Sequence, residues 1–226
     1  NGRELTEFSS RSILDKMTMI GHDSWIFKGT VRDNLLLGNP GATEEEMKEA
    51  LKKVNLLSFI EAQGGLAMPL LSNGTNISGG QKQRLSLARA LLHDTPVYIF
   101  DEATSNIDAE SEERIMEVIH ELAKSRTILL ISHRLANVVG SDCIFMLENG
   151  RVAEAGKHEE LLKKGGSYSR LFKEQKELES FSETRKESST EKQKDTGFEE
   201  QGIMEDLQDK TGEREDTVEE GGEKHE

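Results

Sequence analysis

The sequence contains little cysteine, few aromatic residues and no long apolar run, and each shortage excludes a class of protein. Its single cysteine, Cys143, cannot form an internal disulfide and is typical of a reducing compartment. No stretch of about 18 apolar residues occurs, so the sequence predicts no membrane-spanning helix. Aromatic residues make up 5% and charged residues 32% of the 226 residues, so we expect a compact core over only part of the chain.

Charge is distributed unevenly along the chain, whose formal net charge is −14. Residues 177–226 contain 18 acidic and 7 basic side chains. Their few apolar side chains would bury too little surface to offset the entropy lost on ordering. We therefore predict a disordered acidic tail over residues 177–226 and a nearly neutral folded part before it. The net acidity also argues against a nucleic-acid partner, because phosphate binding needs clustered lysine and arginine.

Short β-rich segments alternate with amphipathic helical segments before this tail, which is typical of an α/β fold. The apolar segments of strand length predict a parallel sheet joined by crossover helices. Asn149-Gly150 lies between two further strands and favours the tight turn of a hairpin. The predicted strands are residues 17–21, 97–100, 128–131, 143–147 and 151–154, and the predicted helices are residues 44–54, 80–93, 110–124, 158–164 and 168–176.

Two adjacent carboxylates, Asp101 and Glu102, follow the predicted strand at residues 97–100. The end of a parallel strand lies at the sheet edge where open α/β proteins bind their ligands. In a P-loop NTPase the first carboxylate at such an edge lies near Mg²⁺, and the second can activate the attacking water as a general base. The alternative is that the two carboxylates only favour the positive end of a following helix.

A second candidate site precedes the predicted helix at residues 80–93, where Ser78, Gly79 and Gly80 are followed by Gln81. Glycines let the backbone approach a ligand closely, and the N–H groups and dipole of a helix start attract negative charge. The pattern therefore predicts a phosphate site. The alternative is that Ser78 is a simple N-cap followed by flexible glycines.

The stretch from Asn76 through Ile-Ser-Gly-Gly-Gln closely resembles the signature motif of ABC ATPases, with Ile77 where leucine is commoner. A histidine at a strand end, such as His133, is ordinarily a packed or exposed bystander, but its place in the family order favours a functional role. The resemblance covers residues 1 to about 176. Its further segments are residues 105–108, similar to the D-loop; 131–134, similar to the switch-histidine segment; 27–35, similar to the stretch after the Q-loop in exporters with fused membrane domains; and 150–161, similar to the closing stretch.

The sequence departs from the ABC pattern at two places. No G-x-x-x-x-G-K-[ST] motif occurs in the 226 residues, although the family carries this P-loop, and an aromatic residue that stacks on adenine, upstream of the matching region. Because the chain starts at Asn1 without an initiator methionine, we expect an internal cut in a longer protein; N-terminal processing is the alternative. The second departure is His22, which stands where the family usually has glutamine. An imidazole can donate to water or bind a metal weakly.

The resemblance implies a P-loop NTPase fold of the ABC type, with a RecA-like core and a helical subdomain over residues 35–86 that carries the signature. It also implies that two such domains close head to tail around ATP and Mg²⁺. If His22 occupies the Q-loop position, it should lie at the same sheet edge as the two carboxylates and the switch histidine. The residues that the resemblance assigns are Ser78, Gly79, Gly80 and Gln81 for the γ-phosphate of the partner's ATP, Asp101 for Mg²⁺, Glu102 for the attacking water, His133 for the γ-phosphate, Asp108 for coupling across the interface, and His22 for the Q-loop.

The function implied by the resemblance is that of the ATP-hydrolysing domain of an ABC exporter at the cytoplasmic face of a membrane. Its partners would be a second nucleotide-binding domain, identical or different, and a transmembrane domain. A soluble ABC protein acting on ribosomes or DNA is one alternative, but it should carry basic insertions, and an acidic tail is found instead. A non-catalytic half of a heterodimer is the other, favoured by His22 and opposed by Glu102 and His133.

Overall fold

The computed structural model describes residues 2–105 and 107–178, which fall into two compact units divided between Lys164 and Gly165. Among these residues no helix is long and apolar enough to cross a membrane. The first unit contains the strands β1 (Met17–Gly21), β2 (Gly29–Thr30), β3 (Pro69–Leu70), β4 (Val97–Asp101), β5 (Thr127–Ile131), β6 (Ile144–Glu148) and β7 (Arg151–Gly156), and the helices α1 (Ser10–Leu14), α2 (Val31–Leu36), α3 (Glu44–Lys53), α4 (Leu57–Ala62), α5 (Gly79–His93), α6 (Ala109–Ala123) and α7 (His158–Lys164).

The main sheet is parallel, with strand order β1-β4-β5. Its register aligns Gly21 with Asp101 and Asp101 with Ile131, so the three strands end level with one another. The five predicted strands and the helices predicted from residue 44 to residue 164 are therefore confirmed, with bounds that differ by one or two residues. The predicted hairpin is also confirmed: β6 pairs antiparallel with β7, and Asn149 and Gly150 both have positive φ, at 50° and 73°.

One face of the main sheet is buried and the other is exposed. Tyr98 and Phe100 on β4 are fully buried, and their rings stack with centroids 6.3 Å apart. They belong to the core cluster that also contains the apolar faces of α5 and α6. The strands point alternate side chains to opposite faces, so Met19 and Leu129 lie on the other face with exposures of 63% and 50%.

The chain between β1 and α5 contains short elements that the sequence pattern did not predict. β2 and β3 pair over two residues each, and α2 and α4 have six residues each, which is too short for a periodic apolar pattern. A local signal for α2 exists in a capping box, because the Thr30 hydroxyl accepts from the Asp33 N–H and the Asp33 carboxylate accepts from the Thr30 N–H.

The second unit is helical over residues 167–178, close to the predicted helix at 168–176. The Tyr168 and Phe172 rings stack one helical turn apart, with centroids 6.1 Å apart. The predicted domain bounds of 1–176 and 177–226, and the helical subdomain at 35–86, stay predictions. Most of the predicted tail, residues 179–226, lies outside the described residues.

The one-sided burial of the sheet leads to a stability prediction. Replacing Phe100, which is fully buried, with alanine should lower the free energy of unfolding by about 3–5 kcal/mol, because the cavity adds to the lost burial. Leu129→Ala on the exposed face should cost about 0.5 kcal/mol or less. Urea unfolding followed by circular dichroism measures both, and equal losses would contradict a sheet that is buried on one face only.

Candidate functional site

The level ends of the three parallel strands bring several predicted site residues to one edge of the sheet. His22 follows β1, Glu102 follows β4, and Ser132 and His133 follow β5. The Glu102 N–H donates to the Ile131 carbonyl at 3.0 Å, which extends the β4–β5 ladder past the last residue of β4. His22 therefore lies at the same edge of the sheet as Glu102 and His133, and its assignment to the Q-loop stays a prediction.

Asp101, Glu102 and His133 form the first group of site residues, which we call the strand-end group. The His133 Nδ1 lies 3.5 Å from Glu102 Oε1, and the two side chains are 61% and 46% exposed. Such an exposed pair contributes little to stability. Its geometry nevertheless places an imidazole beside a carboxylate, with open access for a ligand.

The backbone of Glu102 is in the left-handed region, with φ of 50°. This conformation costs an L-residue about 1–2 kcal/mol, so the surrounding structure must hold it. Three hydrogen bonds do so: the Glu102 N–H donates to Ile131 O, and the Glu102 carbonyl accepts from the Ser105 N–H at 3.0 Å and the Ser105 hydroxyl at 2.9 Å. Sequence reasoning did not predict this strain, because nothing local to an Asp-Glu pair indicates it.

The start of α5 is closed by its own side chains. The Ser78 hydroxyl accepts from the Gln81 N–H at 3.2 Å, and the Gln81 side-chain oxygen accepts from the Ser78 N–H at 2.8 Å. This is a reciprocal capping box, so the N-cap alternative correctly describes what Ser78 does here. The first-turn N–H groups of Gly79 and Gly80 still point out of the helix start, as at every helix N-terminus.

Gly80 is required by the close approach of α5 to the start of α6. A Cβ on Gly80 would lie 2.2 Å from Ser111 Oγ and 3.0 Å from Asp108 Oδ2. Asp108 is the N-cap of α6 and accepts from the Ser111 N–H at 2.8 Å; this bond, with the Ser111 hydroxyl, lowers the pKa of Asp108. The structure thus gathers a second group of predicted residues, which we call the helix-start group: Ser78, Gly79, Gly80, Gln81 and Asp108.

A cleft of about 410 Å³ lies between the segment after β1, the start of α5 and the segment after Glu102. His22 lines it together with Gly79, Gln83 and Ser105. The His22 Nε2 lies 3.1 Å from the carboxylate of its neighbour Asp23, and both side chains are exposed. Within residues 2–105 and 107–178, no group of three or more His, Cys, Asp or Glu side chains is arranged to hold a metal ion.

Known proteins with similar sequences belong to one family. The sequence profile described as "ABC transporter" matches residues 1–105. An ABC transporter ATP-binding protein of Haemophilus influenzae is 49% identical over 183 residues, which cover 81% of this chain and 33% of that protein. A Staphylococcus aureus protein, whose name describes a multidrug export ATP-binding/permease protein, is 41% identical over 173 residues, which cover 76% of this chain and 30% of that protein.

A solved structure is also similar to this chain. The structure of a bacterial Atm1-family ABC exporter with ATP bound matches with a TM-score of 0.72 at 32% identity, covering 77% of this chain and 31% of that one. The chain belongs to the ABC transporter family. It corresponds to the ATP-binding domain of an exporter-type member and has the P-loop NTPase fold of the ABC type, as the signature resemblance implied. The chain spans about a third of the length of the relatives it matches.

Sequence reasoning missed two polar residues, Gln83 and Arg89, that position the site of this ABC domain. Gln83, on the buried face of α5, donates to the Gly21 carbonyl at 2.9 Å and contacts the Ser24 hydroxyl. Arg89 donates to the Trp25 carbonyl at 3.1 Å and to the side-chain oxygen of Asn34 at 3.0 Å, and burial lowers its pKa. Together they hold the loop that begins at His22. The available signal was a polar side chain on the apolar face of a helix.

The strained backbone of Glu102 in this ABC domain can be tested by stability alone. Glycine adopts positive φ freely, whereas alanine pays the left-handed penalty. We expect Glu102→Gly to have a free energy of unfolding about 1 kcal/mol higher than Glu102→Ala. At Glu113, an exposed position within α6, the order should reverse, since glycine destabilises a helix relative to alanine. Denaturant unfolding of the four variants measures this, and the same order at both positions would refute the strain.

Proposed function

We propose that this ABC domain hydrolyses ATP and powers export through a transmembrane domain of the same or a partner chain. The observation that carries the proposal is the separation of the predicted residues into two groups. The strand-end group holds acid–base side chains at the ligand edge of the sheet, and the helix-start group holds an anion site beside Asp108. ATP hydrolysis between two domains needs both parts.

In the strand-end group, Glu102 acts as the general base for the attacking water, and His133 aligns the attack from beside it. Their 3.5 Å separation lets one ligand oxygen contact both side chains. Phosphoryl transfer depends on positioning and on charge stabilisation rather than on covalent chemistry by the protein. The hydrogen bonds that fix the Glu102 backbone therefore serve the reaction as well as the fold.

Mg²⁺ fits the residues of this edge. It keeps several waters and is usually bound through one or two carboxylates together with substrate phosphates, rather than by an all-protein cage. Asp101, the last residue of β4, offers one carboxylate for such a metal. When bound, Mg²⁺ neutralises charge that develops on the phosphate oxygens.

The helix-start group serves a second nucleotide in the proposed assembly. The N–H groups at the start of α5 and its dipole attract the γ-phosphate of ATP held on the P-loop of a partner domain. Ser78 and Gln81 exchange their capping contacts for that phosphate, and Asp108, next to Gly80, connects the partner's ATP to this domain's own strand-end group. Two ABC domains, identical or different, close head to tail in this way.

The proposed location is the cytoplasmic face of a membrane, where ATP binding closes the domain pair and hydrolysis reopens it. We assign His22 to the loop that couples this movement to the transmembrane domain, since Arg89 and Gln83 fix that loop to α5. The exporter-type relatives favour this function over a soluble ABC ATPase. The pairing of Glu102 with His133 favours a catalytic domain over a non-catalytic one.

The absence of a P-loop from these 226 residues gives the first functional prediction. The chain alone should bind Mg-ATP more weakly than micromolar and should not hydrolyse it, because the backbone cradle and lysine of the P-loop are missing from it. Isothermal titration with Mg-ATP and a phosphate-release assay measure the two properties. Micromolar affinity would show that this chain holds nucleotide without a P-loop. It would contradict the proposal that ATP binding needs a P-loop in addition to the two groups of residues.

The role of Glu102 is tested in the complete transporter, with its P-loop and membrane domain. Glu102→Gln keeps the shape and removes the base, so ATP binding should persist while turnover falls by about two orders of magnitude or more. Glu113→Gln makes the same chemical change on the exposed face of α6 and should leave turnover unchanged. Full turnover in Glu102→Gln would remove Glu102 from the role of base.

A further inference from the structure

Glu112 is a buried carboxylate that the proposed mechanism does not use. It lies in the first turn of α6, and its side chain is 7% exposed. Glutamate is almost never fully buried unless it is paired, because removing its charge from water is costly. Both of its oxygens have partners from the segment that follows β5. Oε2 pairs with the Arg134 guanidinium, and Oε1 accepts from the side-chain amide of Asn137 at 2.9 Å.

These partners tie Glu112 to both sides of the strand-end group. Arg134 directly follows His133, and its own N–H donates to the Ser132 hydroxyl at 3.0 Å in a tight local turn. The Asn137 amide also reaches the hydroxyl of Thr104, at 3.4 Å. Thr104 is buried and lies two residues after Glu102. One carboxylate on α6 therefore connects the His133 segment with the Glu102 segment.

The same helix begins at Asp108, in the helix-start group. Glu112 is one turn further along, and its backbone N–H donates to the Asp108 carbonyl at 3.0 Å. A displacement of Asp108 can therefore move the segment that contains His133, through a single helical turn and one ion pair.

We propose that Glu112 is a positioning residue that sets His133 relative to Glu102 and couples this pair to Asp108. It acts through Arg134 and Asn137 and does not touch the nucleotide; the inference rests on the proposed ATP hydrolysis. Arg134 is 44% exposed, so its guanidinium can turn to water when its partner is lost. Replacing Glu112 therefore frees the His133 segment without leaving a charge buried alone.

The first experiment separates kcat from KM in the complete transporter. Glu112→Gln keeps an oxygen for Asn137 and removes the charge that holds Arg134. We expect kcat for ATP to fall about tenfold or more, as a misplaced catalytic group predicts, while KM for Mg-ATP stays unchanged. Glu117→Gln, on the same helix and paired with Arg114 in an exposed bridge, should change neither constant. Glu112→Asp, which keeps the charge, should recover part of kcat.

The second experiment uses the 226-residue chain and needs no activity. In Glu112→Gln, amide chemical shifts should change at residues 132–137 and at Glu102, and Arg134→Met should reproduce the pattern. The double variant should add little to either single change, because both remove one interaction. Shift changes confined to α6, or additive changes, would overturn the inference, as would wild-type kcat in Glu112→Gln. A wild-type transporter without ATPase activity would instead refute the proposed function, and the chemical shifts would still decide the role of Glu112.

Discussion

The level register of the three parallel strands is the constraint on which the site depends. Gly21, Asp101 and Ile131 stand in one row of the sheet, so whatever follows each strand emerges at the same edge. A parallel ladder fixes this alignment by evenly spaced hydrogen bonds along every strand. A slip of one residue between β4 and β5 would turn buried side chains outward and would separate Glu102 from His133. Core packing and site geometry are therefore set by the same register.

Helix α5 connects the main sheet with the helix-start group. Its apolar face packs in the core, with Leu85 and Ala88 fully buried, while its first turn lies against the start of α6. The packing leaves no room for a Cβ at Gly80. A glycine that looks like a phosphate-binding residue thus has a packing reason of its own. The two requirements are compatible, since a close helix start and an anion site both need a bare backbone.

The site edge combines strain with buried charge, both of which oppose stability. Glu102 keeps a left-handed backbone, and Glu112 keeps a carboxylate away from water. Each is compensated by neighbours: three backbone and hydroxyl contacts hold Glu102, and Arg134 and Asn137 satisfy Glu112. Such compensated costs are common where function requires a geometry that the chain would not adopt by itself.

The sequence by itself determined the features that local patterns encode. Apolar runs at β1, β4 and β5, helical spacing at α5 and α6, and the Asn149-Gly150 turn each depend on neighbouring residues, and all were predicted within one or two residues. The motifs also placed the candidate site on particular strand ends and helix starts. The short elements between β1 and α5 were not predicted, because two to six residues are too few to show a periodic pattern.

Only the tertiary structure decided which side chains meet. The pairing of Glu112 with Arg134 joins residues 22 positions apart, and the contact of Gln83 with Gly21 joins residues 62 positions apart. No periodic pattern in the sequence predicts either separation, because these contacts form where separate elements pack against each other. The left-handed φ of Glu102 has the same origin, since hydrogen bonds to Ile131 and Ser105 hold it against its own preference. The sequence determined where chemistry is placed along the chain, and packing between elements decided how those groups are held.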